Sequence, residues 1–475
     1  MVKVMGADDT DLINHMADVS SLRFGAAVTG LSMATGASPE ALTLVCASIL
    51  GGLAGPDAGL NDGRGTLIAR PGCNAVILGI DSASWMAAEQ LLLDPVESCS
   101  RALRRLSASV DGRRLDGAQA PITDRPENEH QASQIRDQLD TMVHNPDTHL
   151  AKNRGVELLR HPSFALRAPA PETFRVGVDE ISQGHALIYY PSGRLLARLA
   201  EGKSSYAWFE HAGHLADALV GADIVFSKSG PIGVTRVRSL AATLYATASG
   251  KQVAAALGCG HGSVQQLLES CWLLDPTWKA CHFEGSHLQT IEMGCSCYWE
   301  AVRDIFDRRK AASSLSFKLT GDSHAELIKG IQDMQGRLAN NIPADYLPFL
   351  REWRKLPAKL LWALLALSGG YESTEGAVST ALYVAEWAVL NHVQVLRGIV
   401  EAERKRRDQL AREAMLMKLA DGPQTLRELM RRTSGSQRRE IHQPVLQTLI
   451  NEGAVLVDAA DRYSLAQPLT KQVAP

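Results

Sequence analysis

The sequence predicts an α/β fold: a phosphate-loop-type core, a helical subdomain and a small C-terminal domain of two helices and a hairpin. Three observations carry that expectation. Val76–Gln90 (VILGIDSASWMAAEQ) reads as a short buried strand, a turn of small residues and the start of a helix. From Ser323 to about Ala420 the pattern is helical, with apolar residues at three- and four-residue spacing in its last part. Thr425–Ala466 then holds two short amphipathic helices followed by an alternating stretch.

The bulk numbers fit such an arrangement. The chain has 475 residues, 45% hydrophobic and 21% charged, enough for roughly two to four domains. With 49 basic and 52 acidic residues the net charge is -3, so any nucleic-acid contact must come from a local patch and not a global field. Eight cysteines predict free thiols in a reducing compartment. The first residues, MVKVMGADDTD, carry acids and no apolar core, unlike a signal peptide. The longest apolar runs, Ala41–Gly55 and Leu360–Leu367, fall short of the ~20 residues of a membrane span. A cytoplasmic protein without membrane partners is the expectation. No nucleophile elbow, Rossmann glycine fingerprint or HExxH motif occurs, which removes support for hydrolase, dehydrogenase and zincin chemistry.

Taken in order, residues 10–35 are loosely helical, and Ser38-Pro39-Glu40 opens a helix with Ser38 as N-cap and Pro39 in the first turn. The apolar run Ala41–Leu53 ends at Gly55-Pro56. Asn74–Leu78 is a strand, and the helix after it is expected to reach about Leu93. Residues 107–155 are polar and read as an exposed helical excursion. Beyond it come a strand at Ala186–Tyr190, helices at Gly193–Glu201 and Tyr206–Leu219, strands at Ile224–Phe226 and near Pro231-Ile232, and a helix over Arg238–Ala246. The helix at about Thr374–Ala420 places Val378, Leu382, Val389, Val393, Leu396 and Val400 on one stripe; its charged part, Glu401–Gln409, reads as a connector leaving the core. TLRELMRRT and Gln437–Glu452 are the tail helices, and AVLVDAADRYSLA is the hairpin, the layout of a winged helix.

The loop of Val76–Gln90 has the frame of G-x-x-x-x-G-K-[ST] without its chemistry. Gly79 and Ser84 take the two glycine positions, Trp85 stands at the lysine and Met86 at the hydroxyl residue that ligates magnesium. A phosphate loop works by aiming backbone N–H groups and a lysine at phosphate oxygens, and an indole brings no charge and fills the phosphate's volume. No catalytic residue is assigned; ATP and Mg²⁺ binding are not expected. A looser match, Ala197–Ser204 (ARLAEGKS), follows a helix-like run where a buried strand is required.

The chain resembles domain-of-unknown-function family 3987, the RecA-like P-loop proteins of phage and integrated-element primase–helicase systems. The likeness runs from about Ser38 to Ala466. SPEALTLVCASILGGLAG matches the apolar helix before the family's loop strand, and NAVILGIDSASWMAAEQLLLDP the strand, loop and helix. RHPSFALRAPAPETF, ALIYYPSGRLLARLAEGKSSYAWFE, LREWRKLPAKLLWALLALSG and STEGAVSTALYVAEWAVLNHVQVLR follow in order. In the resemblance, Tyr190 and Pro191 occupy the acidic positions that organise metal and water, while Asp179-Glu180, in a segment that reads as a loop, is a weaker replacement pair. The resemblance implies a degenerate RecA-like core (residues 38–320) after a lead-in (1–37), a helical subdomain (321–420) and a winged helix with tail (421–475). It implies a non-catalytic pseudo-ATPase acting in replication or maintenance of a mobile element, with DNA, an active ATPase or primase, or further copies of itself as partners. The alternatives are a nucleotide-dependent DNA-processing ATPase using an unorthodox loop such as Gly202–Ser204, and a purely protein-binding regulatory scaffold.

Two further groups complete the candidates. Cys259, His261, Cys271, Cys281, His282, His287, Cys295 and Cys297 cluster in sequence, but C-G-H, C-H and C-S-C pairs do not match zinc-ligand spacing, so buried thiols are expected and structural zinc is not. In the tail, Arg427, Arg431, Arg432, Arg438 and Arg439 face one acid, Glu428. In a winged helix Arg438 and Arg439 would begin the recognition helix and Arg431 and Arg432 would suit backbone phosphates; a solvated charged face is the plain alternative. His392, with Trp387 nearby, reads as a core or inter-helix histidine.

Overall fold

The computed structural model describes residues 23–79, 83–118, 163–181, 184–201, 206–226, 236–276, 288–311, 313, 315–350, 352–369, 375–431 and 438–466. They divide into two compact units, residues 1–392 and 393–475.

In the first unit α1 (Arg23–Thr35) leads to α2 (Pro39–Ala54). The helix start read from the sequence holds: Ser38 Oγ accepts the Ala41 N–H at 3.3 Å and Pro39 sits in the first turn, where its missing donor costs nothing. Every residue of α2 is buried. β1 (Gly59–Asn61) and β2 (Leu67–Ala69) precede β3 (Ala75–Ile77), the strand before the loop. α3 (Ala83–Ala118) follows. It passes the expected end near Leu93 and carries Pro95 inside it, so the first part of the polar excursion is helix. The excursion beyond 118 lies outside the described residues.

β4 (Ala165–Arg167), α4 (Pro171–Glu180), β5 (His185–Tyr190), α5 (Arg194–Ala200) and α6 (Tyr206–Val220) come next. Then follow β6 (Asp223–Phe226), β7 (Arg236–Ser239), β8 (Ala241–Thr247), α7 (Gly250–Gly258), α8 (Gly262–Glu269) and β9 (Trp272–Leu274). The helix expected over Arg238–Ala246 is therefore wrong: β7 pairs antiparallel with β6, and β8 is a strand. The cause is burial. β8 lies inside a parallel sheet covered on both faces, so neither face is solvent-exposed, and the alternation of Thr243, Tyr245 and Thr247 with Ala242, Leu244 and Ala246 is the one strand signal it keeps. The strand expected near Pro231-Ile232 lies outside the described residues.

β4, β5, β8, β3 and β9 form one parallel sheet in that order. α2 packs on β5 and β8 at close range, with a Cβ on Gly52 falling 3.0 Å from the Leu187 Cβ of β5, and a Cβ on Gly51 would sit 2.1 Å from the backbone nitrogen of Gly72 in the segment before β3, so only glycine fits there. α9 (Leu288–Lys310) crosses α1 where Gly30 meets Gly294, with a Cβ on Gly30 only 2.7 Å from the Gly294 Cα. Near the end of α9 the buried Arg309 donates to the carbonyls of Leu53 and His185 and lies 4.2 Å over the Phe164 ring, tying α2 to β5. β10 (Ser316–Lys318) joins β1 and β2 in a small second sheet. α10 (Gly321–Ala339), α11 (Leu356–Leu367) and α12 (Glu375–Ala420) supply the expected helical region.

The division between the units falls inside α12, at 392/393, before its charged part Glu401–Gln409. In the second unit β11 (Gln424–Thr425), α13 (Leu426–Arg431), α14 (Arg438–Asn451), β12 (Val455–Val457) and β13 (Arg462–Leu465) follow the helix. The three strands are antiparallel in the order β11-β13-β12. Ala411, Met415 and Leu419 of α12 share a buried cluster with Leu429, Val445, Leu446, Leu449 and Val455. The end of α12 is thus a core element of this unit, beyond the charged Glu401–Gln409.

Among the described residues no single helix is long and apolar enough to cross a membrane. Phe24–Thr35 and Pro39–Ala54 would reach the composition only as a pair, and they are bent by 114°.

Candidate functional site

The carboxyl ends of β3, β5 and β8 come together, the place where open parallel sheets bind ligands. Gly79 ends β3's exit and Trp85 lies on the first turns of α3. The indole is 1% exposed and packs on Gly79, where an added Cβ would meet the indole Cγ at 2.5 Å. Gly79 is thus required by the tryptophan itself. Met86, one residue on, is 53% exposed. Ser84 begins the same helix, and residues 80–82 lie outside the described residues.

One turn beyond Trp85, Glu89 turns the same helix face towards the sheet. Its buried carboxylate accepts the Tyr245 hydroxyl at 2.9 Å, and the Thr247 hydroxyl and Ser192 backbone N–H lie near enough to favour its charged form. Burial pushes the Glu89 carboxyl above its ordinary value, and those donors offset the rise only in part. The Gly193 N–H donates to Thr247 Oγ1 at 3.1 Å. Ser192 and Gly193 both adopt left-handed backbone, with φ of 61° and 68°. For serine that conformation costs about 1–2 kcal/mol. The Trp85 side chain is a further polar neighbour of the Tyr245 hydroxyl.

Tyr190 and Pro191, the acidic positions of the resemblance, are split by the end of β5. Pro191 starts a short 3-10 turn, and Tyr190 is 1% exposed. The Tyr190 hydroxyl donates to the Pro169 carbonyl at 2.8 Å and lies 2.6 Å from His211 Nε2 on α6. Burial, aided by His214, pushes the His211 imidazole down to about 3, so it is neutral. Asp179 and Glu180 are not in a loop as expected but on the last turn of α4. Gly202–Ser204 lie outside the described residues, and the element before them is the helix α5, not a strand.

Sequence reasoning missed Glu89, Ser192, Tyr245 and Thr247. Glu89 had one signal, its place four residues after Trp85 on an otherwise apolar face. Tyr245 and Thr247 had none once β8 was read as helix.

The Cys/His segment is spread over several elements. Cys259 ends α7, His261 precedes α8 and stacks on Phe209 at 4.3 Å, and Cys295 and Cys297 lie on α9. Cys271 donates to the Leu267 carbonyl at 3.2 Å, and burial raises its thiol and that of Cys46. Cys281, His282 and His287 lie outside the described residues. Among the described residues no three His, Cys, Asp or Glu side chains come together as a metal site. His392 is the buried inter-element histidine expected: its Nδ1 accepts the Leu273 N–H of β9 at 2.8 Å.

In the second unit Arg431 closes α13, Arg438 and Arg439 open α14, and Arg432 lies outside the described residues. Arg427 is exposed on α13. Residues 393–475 hold 14 Lys and Arg against 10 Asp and Glu, a net charge of +4, which leaves -7 on residues 1–392. The hairpin tip differs: Asp458 holds Arg462 at 3.2 Å, and Asp461 stands beside them.

No protein-family model and no curated protein matches the chain.

Proposed function

We propose that the chain is a non-catalytic relative of P-loop ATPases whose core serves as a scaffold and whose basic C-terminal unit, read as a winged helix, binds DNA in the upkeep of a mobile element. The observation that carries the first half is the Trp85 indole buried on Gly79, in the volume a phosphate would need. The RecA-like reading is supported by the sheet order, in which β8 separates the loop-bearing β3 from β5, the strand ending at Tyr190. The DNA-binding half is supported by two helices followed by an antiparallel hairpin, by Arg438 and Arg439 at the start of the second helix, and by the +4 charge of residues 393–475.

Calorimetric titration with ATP, with and without magnesium, tests the scaffold half; saturable micromolar binding sinks it. Gel shifts compare wild type with Arg438→Ala/Arg439→Ala. Weaker binding of the double variant, uniform across sequences or relaxed in preference, is the expected result, and equal binding removes the arginines as readers. A protein-binding role for the same unit has one observation in its favour, the acidic hairpin tip whose single arginine is already paired to Asp458. Under that reading neither protein shifts DNA.

A further inference from the structure

Donors at the ends of β5 and β8 gather around Glu89. The Tyr245 hydroxyl donates to its carboxylate at 2.9 Å, the Thr247 hydroxyl and Ser192 N–H lie beside it, and the Gly193 N–H holds Thr247 in place by donating to its Oγ1 at 3.1 Å. Hydroxyl donors and a backbone N–H turned to one side of a sheet end make an anion-binding concavity. The left-handed serine is strain spent on that geometry, since a residue in the ordinary helical region would turn the Gly193 N–H away from Thr247. The anion received is not a ligand. It is a side chain of the same molecule, projected from the helix that follows the loop.

We propose that the Tyr190–Gly193 turn and the end of β8 form a binding site for a small oxyanion, a carboxylate or phosphoryl group, and that Glu89 occupies it in cis as an autoinhibitory contact. Trp85 and Glu89 are four residues apart on one face of α3, so the ring that covers Gly79 and the carboxylate that fills the donor cluster form one paired closure. A movement of α3 away from the sheet would open both at once. The Glu89 carboxyl group also takes up the donor that a second anion would need. Arg167, a cation whose charge acts on Glu89, is itself paired to Glu97 at 3.0 Å. This inference deepens the scaffold reading by naming what closes the site, and its test is independent of that reading.

The test is chemical replacement. Glu89→Ala empties the donor cluster, and the purified variant is heated in sodium formate, acetate or inorganic phosphate against sodium chloride at equal ionic strength. A saturable rise in its thermal midpoint with formate, absent from wild type and from Glu89→Gln, is the expected result. Adding Tyr245→Phe and Thr247→Val to Glu89→Ala is expected to abolish that rise. The same formate response in wild type and Glu89→Ala, or none in either, overturns the proposal. Should Glu89→Ala be insoluble, refolding yield in formate against chloride is the readout: recovery with formate supports the site, and equal yields overturn it. ATP binding by the wild type would remove the scaffold reading whatever Glu89→Ala does, and a missing formate effect would remove the internal anion whatever ATP does.

Discussion

The Tyr190 hydroxyl sits between two buried groups, donating to the Pro169 carbonyl at 2.8 Å and lying 2.6 Å from His211 Nε2. Because the hydroxyl's hydrogen goes to the carbonyl, the imidazole must carry its proton on Nε2 and donate it to the tyrosine. Tyr190→Phe removes both of these hydrogen bonds from a buried site and is expected to cost about 1–3 kcal/mol in chemical denaturation. Tyr190→Asp is expected to cost more, because the carboxylate enters a fully buried place. ATP hydrolysis by that variant would overturn the structural role given to this tyrosine.

Acid should unfold the first unit in a definite window. Burial pushes His185 and His392 down to about 4 and His211 to about 3. A histidine depressed in the folded state contributes stability that is complete above its unfolded value of about 6.5 and is lost as pH falls towards the folded value. Three such groups give a slope of roughly 4 kcal/mol per pH unit near pH 5. Thermal midpoints between pH 7 and 4 check this. His392→Gln is expected to flatten the slope by about a third.

Glu89 runs the other way. Its carboxyl is raised in the folded state, so its contribution is present below the unfolded value of about 4.5 and is lost as pH rises. Relative to wild type, Glu89→Gln should therefore gain stability from pH 5 to pH 8. Calorimetric midpoints at those two values decide it, and an unchanged difference would mean the carboxylate is not desolvated.

Two adjacent residues should respond very differently. Trp85→Ala removes a buried ring and is expected to cost about 3–5 kcal/mol. Met86→Thr alters an exposed side chain and should stay within about 0.5 kcal/mol. Similar losses at both positions in denaturant titrations would contradict the burial described.

Glycines divide in the same manner. Gly30→Ala drives a methyl into the backbone of Gly294 and the Thr290 carbonyl, where nothing flexible can yield, and should cost about 1–3 kcal/mol. Gly336→Ala, inside α10 with open space around it, should stabilise by about 0.5–1 kcal/mol. Paired denaturation curves test both signs.

What was legible in the sequence was what local chemistry determines. Ser38 and Pro39 announced α2, the run ALIYY announced β5, and the tail's order of helix, helix and hairpin appears as read. The misreadings came from context. β8 has no solvent-facing side because both its faces are covered, which left only the alternation of Thr243, Tyr245 and Thr247 with apolar neighbours to mark it, and Pro95 did not end α3. The candidate site was half visible: Gly79 and Trp85 stood in one loop pattern. Their partners Ser192, Tyr245 and Thr247 lie more than 100 residues away, as the 156-residue separation of Tyr245 from Glu89 illustrates, and no spacing rule connects them.

The outer edge of β9 is closed by side chains. His392 Nδ1 takes the Leu273 N–H, and Asn391 bonds both the N–H and the carbonyl of Asp275, standing in for a sixth strand. An unpaired edge is a template for joining another chain. Since the closing histidine lies 119 residues after Leu273, a ribosome adding about 5–20 residues per second leaves that edge bare for roughly 6–24 s. The growing chain must stay clear of its neighbours through that interval, and slowing translation between these positions would lengthen the time in which nascent chains can pair edge to edge.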